Sequence, residues 1–492
     1  MPDSPAIAAQ HLSRSTVVLA AAAAALGWGS RWATLPLRLH DHDSVNFASA
    51  LAHFDLARHS PHLPGYPVYV ALARLARNLG APVEAALAWP ALLAAGMAAA
   101  LLLYGAAREV GRAAAVGLAL LYLALPDVAL ADARPLSDGL GLHLLTMALT
   151  CGVAALRPAA APAWGRAAVA VAGLLLGVRL SSWPLAGGLM LWLGAAAAPS
   201  ERRVLATVAL VAVAAWVMPL AVAAGGPGEL WRLGWLFAQG HFRDWHGDPA
   251  AALAWPARLA LWGQHAYHGG LALAGGAALG LAWAGRSRPF DRRWLGLALL
   301  VAAYAVWMAL GQNPQRPRHL LPLWPPLLLL GAVALGQVGR LRWAPQTMAW
   351  TVAAVAVLGA GQTSLDRLAV QRQWPSPDVA CGEWLSTQPA DKTLVLGGSE
   401  VGVLRAVAPG VRALRVAAPG DLAQILKGPL GRAPHLFVTS RAAGLANVAG
   451  GSLQPVKTFP ARAGIDLPGQ ALTVFRWVPG AALTLAAQEV LQ

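Results

Sequence analysis

Apolar runs of about 18 residues or more recur from Val17 to about Gly361, parted by short polar stretches, the pattern of helices that cross a membrane. With Arg14 placed inside, about eleven such spans follow. The first covers about 16–38 and the second about 87–106, with a long polar loop over 40–85 between them. The third covers about 113–130. The fourth returns the chain to Arg157 and Arg166, the fifth ends near Arg179, and the sixth returns to Arg202 and Arg203. The seventh leads to a loop at about 223–265, and the eighth returns to Arg286, Arg288, Arg292 and Arg293. The ninth exits at Gln312–Arg316, the tenth returns to Arg340 and Arg342, and the eleventh, about 345–361, carries the tail outside. The first run lacks a small-residue cleavage site and reads as a retained helix.

Beyond Gly361 the period changes. Thr393–Gly397, Val411–Val416 and His435–Thr439 read as buried strands, with helical stretches near 400–407 and 420–427 between them. Val456–Phe459 and Leu472–Trp477 read as edge strands. The expected architecture is a polytopic α-helical membrane protein over residues 1–361, followed by a small α/β domain over 362–492. The turn Leu396-Gly-Gly-Ser399 lacks the spacing of a dinucleotide-binding loop. Structural support or acceptor docking is the expected work of the tail.

Composition sharpens this picture. The 492 residues are 57% hydrophobic and only 12% charged, whereas soluble domains average about 25% charged. The net charge of +15 does not imply nucleic acid, because the arginines sit in short clusters between apolar runs. Each of those clusters falls on the side of Arg14, as the positive-inside rule requires. All of the 13 histidines except His11 and His143 fall in outer loops or the tail. The large polar loops and the tail are therefore expected in the periplasm or outside the cell. Cys151, in a span, and Cys381, in the tail, imply neither a disulfide nor a metal framework. Arginine in place of lysine and abundant alanine suggest a GC-rich bacterial genome, and hence the bacterial inner membrane.

Candidate chemistry collects in the outer loops. The first reads His40-Asp-His-Asp43-Ser-Val-Asn-Phe, then Phe54-Asp55, then Pro61-His62-Leu-Pro-Gly-Tyr66-Pro. Carboxylates just outside a span are costly near lipid unless they face a wet cavity. A functional site is one reading and a solvated loop start the other. Further polar segments follow at Ala133-Arg134-Pro-Leu-Ser-Asp138, Gly177-Val-Arg179-Leu-Ser-Ser-Trp-Pro184, Gln239-Gly-His241-Phe-Arg-Asp-Trp-His246 and Arg316-Pro-Arg318-His319-Leu-Leu-Pro322.

In this order, and on one side of the membrane, these segments resemble the outer loops of GT-C glycosyltransferases. The branch they resemble comprises the bacterial protein-O-mannosyltransferase-like and aminoarabinose-transferase-like proteins. The resemblance spans about residues 15–325. It departs at Leu63, where relatives favour proline. It implies transfer of a sugar from a polyprenyl-phosphate carrier to a lipid, glycan or protein acceptor outside the membrane. The position matching the family's catalytic aspartate is Asp43, with Asp41 second. An inverting transfer needs such a base for the acceptor hydroxyl. The leaving phosphate needs fixed cations, for which Arg134, Arg179, Arg316, Arg318 and His319 are candidates. Asp55, His62, Tyr66, Asp138 and His241 join them as expected substrate-binding residues. Each arginine has a structural reading too, as an ion pair or head-group anchor, and Asp138 could cap a helix.

His40, His42, His53, His59 and His62 with the nearby aspartates could supply ligands for a divalent cation. In an extended segment, however, His40 and His42 would not share a face with Asp43 without a turn. Metal-free catalysis is the favoured expectation. The alternative to an enzyme is a transporter or flippase of lipid-linked saccharide. No inverted repeat pairs the two halves of the chain, which favours the enzyme.

Overall fold

Between Glu84 and Arg108 the chain carries no charge, and this stretch forms the helix around which the apolar half is built. The computed structural model describes residues 14–158, 160–243, 254–268, 292–314, 316–338, 346–416, 419–443, 451–462, 465–466 and 470–479. The helices are α1 (Arg14–Trp32), α2 (His42–Ala52), α3 (Pro67–Asn78), α4 (Val83–Val110), α5 (Arg112–Ala124) and α6 (Pro126–Asp132). They continue as α7 (Ser137–Ala155), α8 (Pro162–Leu176), α9 (Trp183–Ala196), α10 (Pro199–Ala223), α11 (Pro227–Arg243) and α12 (Trp255–His268). Last in this half come α13 (Arg292–Gly311), α14 (Trp324–Val338) and α15 (Gln346–Gln373). Alanine and leucine fill the core where α4 meets α1, α5 and α7: Ala91, Ala98, Leu102, Leu145 and Leu149 are all fully buried. The outer surface is apolar as well. Leu191 is 78% and Val222 80% exposed, positions no water-facing helix favours.

Among the described residues, four helices are long and apolar enough to cross a membrane: Val83–Arg108, Ser137–Ala155, Pro199–Ala223 and Arg293–Gly311. A bent pair, Arg112–Ala124 with Pro126–Asp132, makes a fifth. The eleven spans expected from hydropathy are not all of this kind. The expected eighth span and Arg286 and Arg288 lie outside the described residues, as do Arg340 and Arg342.

Several boundaries differ for identifiable reasons. The first helix stops at Trp32 rather than about 38, because Pro36 has no N–H to continue it and disfavours helix in the residue before it. The loop over 40–85 holds two helices, α2 and α3. The third span bends by 57° where Pro126 follows Leu125, whose ψ of 127° has left the helical range. The helix over the expected last span continues past Gly361 to Gln373.

The tail continues with α16 (Pro377–Leu385), β1 (Thr393–Gly397), α17 (Val401–Val407), β2 (Arg412–Arg415) and α18 (Pro419–Lys427). It ends on β3 (His435–Thr439), α19 (Ser440–Ala443), β4 (Gly451–Phe459) and β5 (Leu472–Pro479). The strands form one sheet in the order β2-β1-β3-β5-β4. β1 is parallel to β2 and β3, with Val395 opposite Ala413 and Phe437, and β5 is antiparallel to β3 and β4. The central strands are buried on both faces, as their unbroken apolar runs require. Val395, Phe437 and Val474 pack on one side, and Leu394, Leu396, Leu436 and Val438 on the other.

Candidate functional site

The site begins at the start of α2. Asp41 adopts an extended conformation and accepts from the Ser44 backbone N–H at 2.9 Å, while Ser44 Oγ accepts from the Asp41 N–H at 2.9 Å and the His40 N–H at 2.8 Å. This reciprocal cap makes His42–Ala52 a helix, not the extended strand that alternation over His40–Asp43 suggests. Asp41 therefore caps the helix, and Asp43 lies in its first turn, where the positive end of the helix dipole favours a carboxylate.

Arg318 Nη2 lies 2.8 Å from Asp43 Oδ2. Arg318 Nη1 also stands 3.9 Å from Asp138 Oδ2, and Arg179 Nη1 is 2.5 Å from Asp138 Oδ1. Two carboxylates and two guanidiniums thus alternate in one cluster. Each member has a local reason for its place. Arg318 rides on a 3-10 turn, Pro317–Leu323, whose prolines exclude a regular α-helix; the Tyr304 hydroxyl pins that turn by donating to the His319 carbonyl at 2.8 Å. Asp138 lies in the first turn of α7. One turn on, Gly141 leaves room for the Arg179 stem: a Cβ there would stand 3.2 Å from Arg179 Cβ and Cδ.

An aromatic wall closes the other side. His62 Nδ1 is 3.7 Å from Asp43 Oδ1, and its Nε2 is 2.8 Å from the Tyr66 hydroxyl. Tyr66 begins α3 with φ 47° and ψ 46°, a left-handed conformation strained for a tyrosine. Its ring meets Phe47 edge-on, with centroids 5.0 Å apart.

Burial alone would raise the Asp43 carboxyl. Arg318, helped by His62 and Arg316, more than reverses this and holds it well below the usual carboxylate range. Burial pushes His62 down despite the opposing pull of Asp43. His40 falls to about 3, through burial first and then Arg134.

The structure therefore brings together Asp43, Asp138, Arg179, Arg318, His62 and Tyr66, with Arg316 acting on Asp43 through its charge. Two expected residues, Arg134 and Asp55, spend their hydrogen bonds outside this cluster. Arg134 Nη2 donates to the Ile465 carbonyl of the tail at 2.6 Å. Asp55 Oδ1 accepts from the Ala57 and Arg58 N–H groups and organises its own turn. His241 is near the end of α11, and its side chain lies outside the described residues. Among the described residues no three His, Cys, Asp or Glu side chains are grouped to hold a metal ion.

One buried network escaped the sequence reading. Arg31 Nε donates to Asp132 Oδ2 and its Nη2 to the Leu123 carbonyl, at 2.6 and 2.8 Å. His143 Nε2 is 2.6 Å from Asp132 Oδ1, and the Tyr122 hydroxyl is 2.5 Å from His143 Nδ1. Thr146 Oγ1 donates to Tyr122 Oη at 3.0 Å. The signal was present in sequence as a lone histidine inside an apolar helix, but its partners come from α1, α5 and α6.

At the level of sequence no family model matches the chain, and no curated protein does. Solved structures do resemble it. Apo ArnT, the aminoarabinose transferase from Cupriavidus metallidurans, aligns at TM-score 0.55 and 16% identity over 94% of this chain and 98% of its own. The same protein bound to undecaprenyl phosphate aligns at TM-score 0.54 and 16% identity, with the same coverage. The oligosaccharyltransferase from Archaeoglobus fulgidus aligns at TM-score 0.55 and 13% identity over 94% of this chain and 76% of its own. Both proteins are GT-C glycosyltransferases. The chain thus has the GT-C fold.

Proposed function

We propose that this chain is an integral membrane glycosyltransferase of the bacterial inner membrane, with its tail domain in the periplasm. It moves a hexosyl or pentosyl group from a polyprenyl-phosphate-linked donor to an acceptor in the periplasm or cell envelope. The observation that carries this reading is the alternating Asp43–Arg318–Asp138–Arg179 cluster, gathered from the segments that join the helices of a GT-C fold. A neighbour in fold whose structure holds undecaprenyl phosphate supports the same class of carrier here.

The chemistry follows from the charges. The acceptor hydroxyl oxygen attacks the anomeric carbon as the bond to the phosphate oxygen breaks, and configuration inverts. Polyprenyl phosphate leaves with the bonding electron pair, and Asp43 takes the hydroxyl proton. Arg179, Arg316 and Arg318 supply the fixed positive charge that the departing phosphate needs, and the planar arginine fork suits its oxygens.

The free protein holds Asp43 in check. Paired with Arg318, its carboxylate is too stabilised to be a strong base. A donor phosphate competes for the same guanidinium. Once Arg318 turns to it, the strongest influence holding the Asp43 carboxyl down is withdrawn, which raises its proton affinity. Donor binding therefore arms the base.

The test is Asp43→Asn, purified in lipid nanodiscs. It should bind undecaprenyl phosphate but lose at least about a hundredfold in its release from undecaprenyl-phosphate-linked hexoses and pentoses, with cell-envelope membranes as acceptor pool. Asp41→Ala should cost about 1 kcal/mol of stability through the lost cap and a smaller part of the rate. Full transfer by Asp43→Asn, Asp41→Asn and the double variant would overturn the reading.

A further inference from the structure

Two helix starts meet beside Asp43, and only one of them is capped by its own side chain. Ser376 occupies the cap position of α16, with extended backbone angles and Pro377 after it, yet makes no cap bond to its own helix. A serine there normally accepts from an N–H of the first turn. Instead the Ser376 hydroxyl donates to the His40 carbonyl at 2.5 Å. His40 is thereby held from both sides, because its N–H already donates to Ser44 Oγ. The peptide before Asp41, from which the Asp43 helix starts, is fixed by the tail.

Ser376 is itself rigidly mounted. It is 2% exposed, and Asp378 two residues on is 4% exposed. Arg441 binds Asp378 at 2.8 and 3.1 Å and reaches Glu400 at 3.3 Å. Glu400 is fully buried and also accepts from the Gly398 N–H and the Thr439 hydroxyl. This cluster ties the start of α16 to β1 and β3. A second contact runs parallel: α17 lies against α2 so closely that a Cβ at Gly402 would stand 2.6 Å from His42 Nδ1.

We propose that Ser376 is a positioning residue, through which the tail domain sets the start of α2 and so the distance of Asp43 from the reacting hydroxyl. The proposal rests on Asp43 being the base. Displacements of an ångström can cost about a hundredfold in rate without touching the reacting groups, so the tail acts on the site through the start of α2.

The experiment compares Ser376→Ala, Ser376→Cys and Ser376→Thr with Asp43→Asn, as full-length protein in nanodiscs. Readouts are undecaprenyl phosphate affinity, release of undecaprenyl phosphate from its hexose- and pentose-linked forms, and amide exchange over residues 41–46. Ser376 does not cap α16, so the Ala and Cys variants should keep the tail folded. Both should lose about 10- to 100-fold in kcat, bind undecaprenyl phosphate within about twofold of the wild type, and exchange faster over 41–46. Threonine, which keeps the hydroxyl, should restore most of the rate. Wild-type kcat in the Ala and Cys variants, while Asp43→Asn is inactive, overturns this proposal alone. So does a loss that threonine leaves in place, or one matched by an equal loss of carrier affinity. Full activity of Asp43→Asn overturns the underlying reading and this proposal with it.

Discussion

Arg318 and Asp43 are 275 residues apart in sequence, and their side chains meet at 2.8 Å with about a quarter of each exposed. This pair joins the start of α2 to the 3-10 turn before α14. It also links the expected base to the expected phosphate ligand, which makes the two functions interdependent.

The first consequence is in pH dependence. The pH profile of kcat/KM reports the free enzyme and that of kcat the donor complex. Arg318 lowers the Asp43 pKa in the free protein, so the base stays ionised as pH falls and the acid limb of kcat/KM lies below the ordinary carboxylate value of about 4. With Arg318 drawn to phosphate, that lowering is withdrawn and the pKa rises, so the acid limb of kcat lies at higher pH. Arg318→Gln should move the kcat/KM limb up toward the kcat limb. Coincident limbs in the wild type would show that Arg318 does not change partner.

Arg179 and Arg134 should behave differently on truncation. Arg179→Ala leaves Asp138, 4% exposed, without its 2.5 Å partner and removes a proposed phosphate cation. Donor use should fall by about 2–4 kcal/mol, and lysine should restore only part of it. Arg134 binds the tail at Ile465, so Arg134→Ala should loosen the tail while donor saturation stays near normal. Steady-state kinetics over a donor series, with limited proteolysis of the tail, distinguishes the two.

Asp132 is the centre of the buried network and is 4% exposed, with Arg31 at 5%. Asp132→Ala strands a buried guanidinium and should cost about 3–5 kcal/mol. Tyr122→Phe removes the hydroxyl's bonds to His143 and Thr146 and should cost about 1–3 kcal/mol. Unfolding midpoints in detergent check both values, and an Asp132→Ala midpoint equal to the wild type would remove the network from the stability account.

Sidedness is tested by labelling. After Cys151 and Cys381 are replaced, Thr387→Cys in the tail should react with a membrane-impermeant thiol reagent in spheroplasts. Arg203→Cys at the start of α10 should not. The reverse pattern would invert the topology and place the Asp43 cluster on the wrong side for an extracytoplasmic acceptor.

The sequence by itself determined what depends on local pattern. Long apolar runs such as Val83–Arg108 specify membrane helices because a helix satisfies its backbone in lipid within a single segment. Apolar runs such as Thr393–Gly397 and His435–Thr439 specify strands buried on both faces. Motif order alone brought Asp43, Asp138, Arg179, Arg318, His62 and Tyr66 forward as candidates. Motif match ranked Asp43 ahead of Asp41, but sequence could not give these two aspartates their separate structural roles. That took the fold of the loop, where a reciprocal bond with Ser44 makes one the cap and leaves the other in the first turn. Nor could it separate Arg134 from Arg318, since an arginine's partner is decided by the chain brought opposite it. The Arg31–Asp132–His143–Tyr122 network and the Ser376–His40 bond were invisible for the same reason. Helical and strand periodicities record which face is buried, whereas hydrogen bonds between distant segments arise only when packing brings them within about 3 Å.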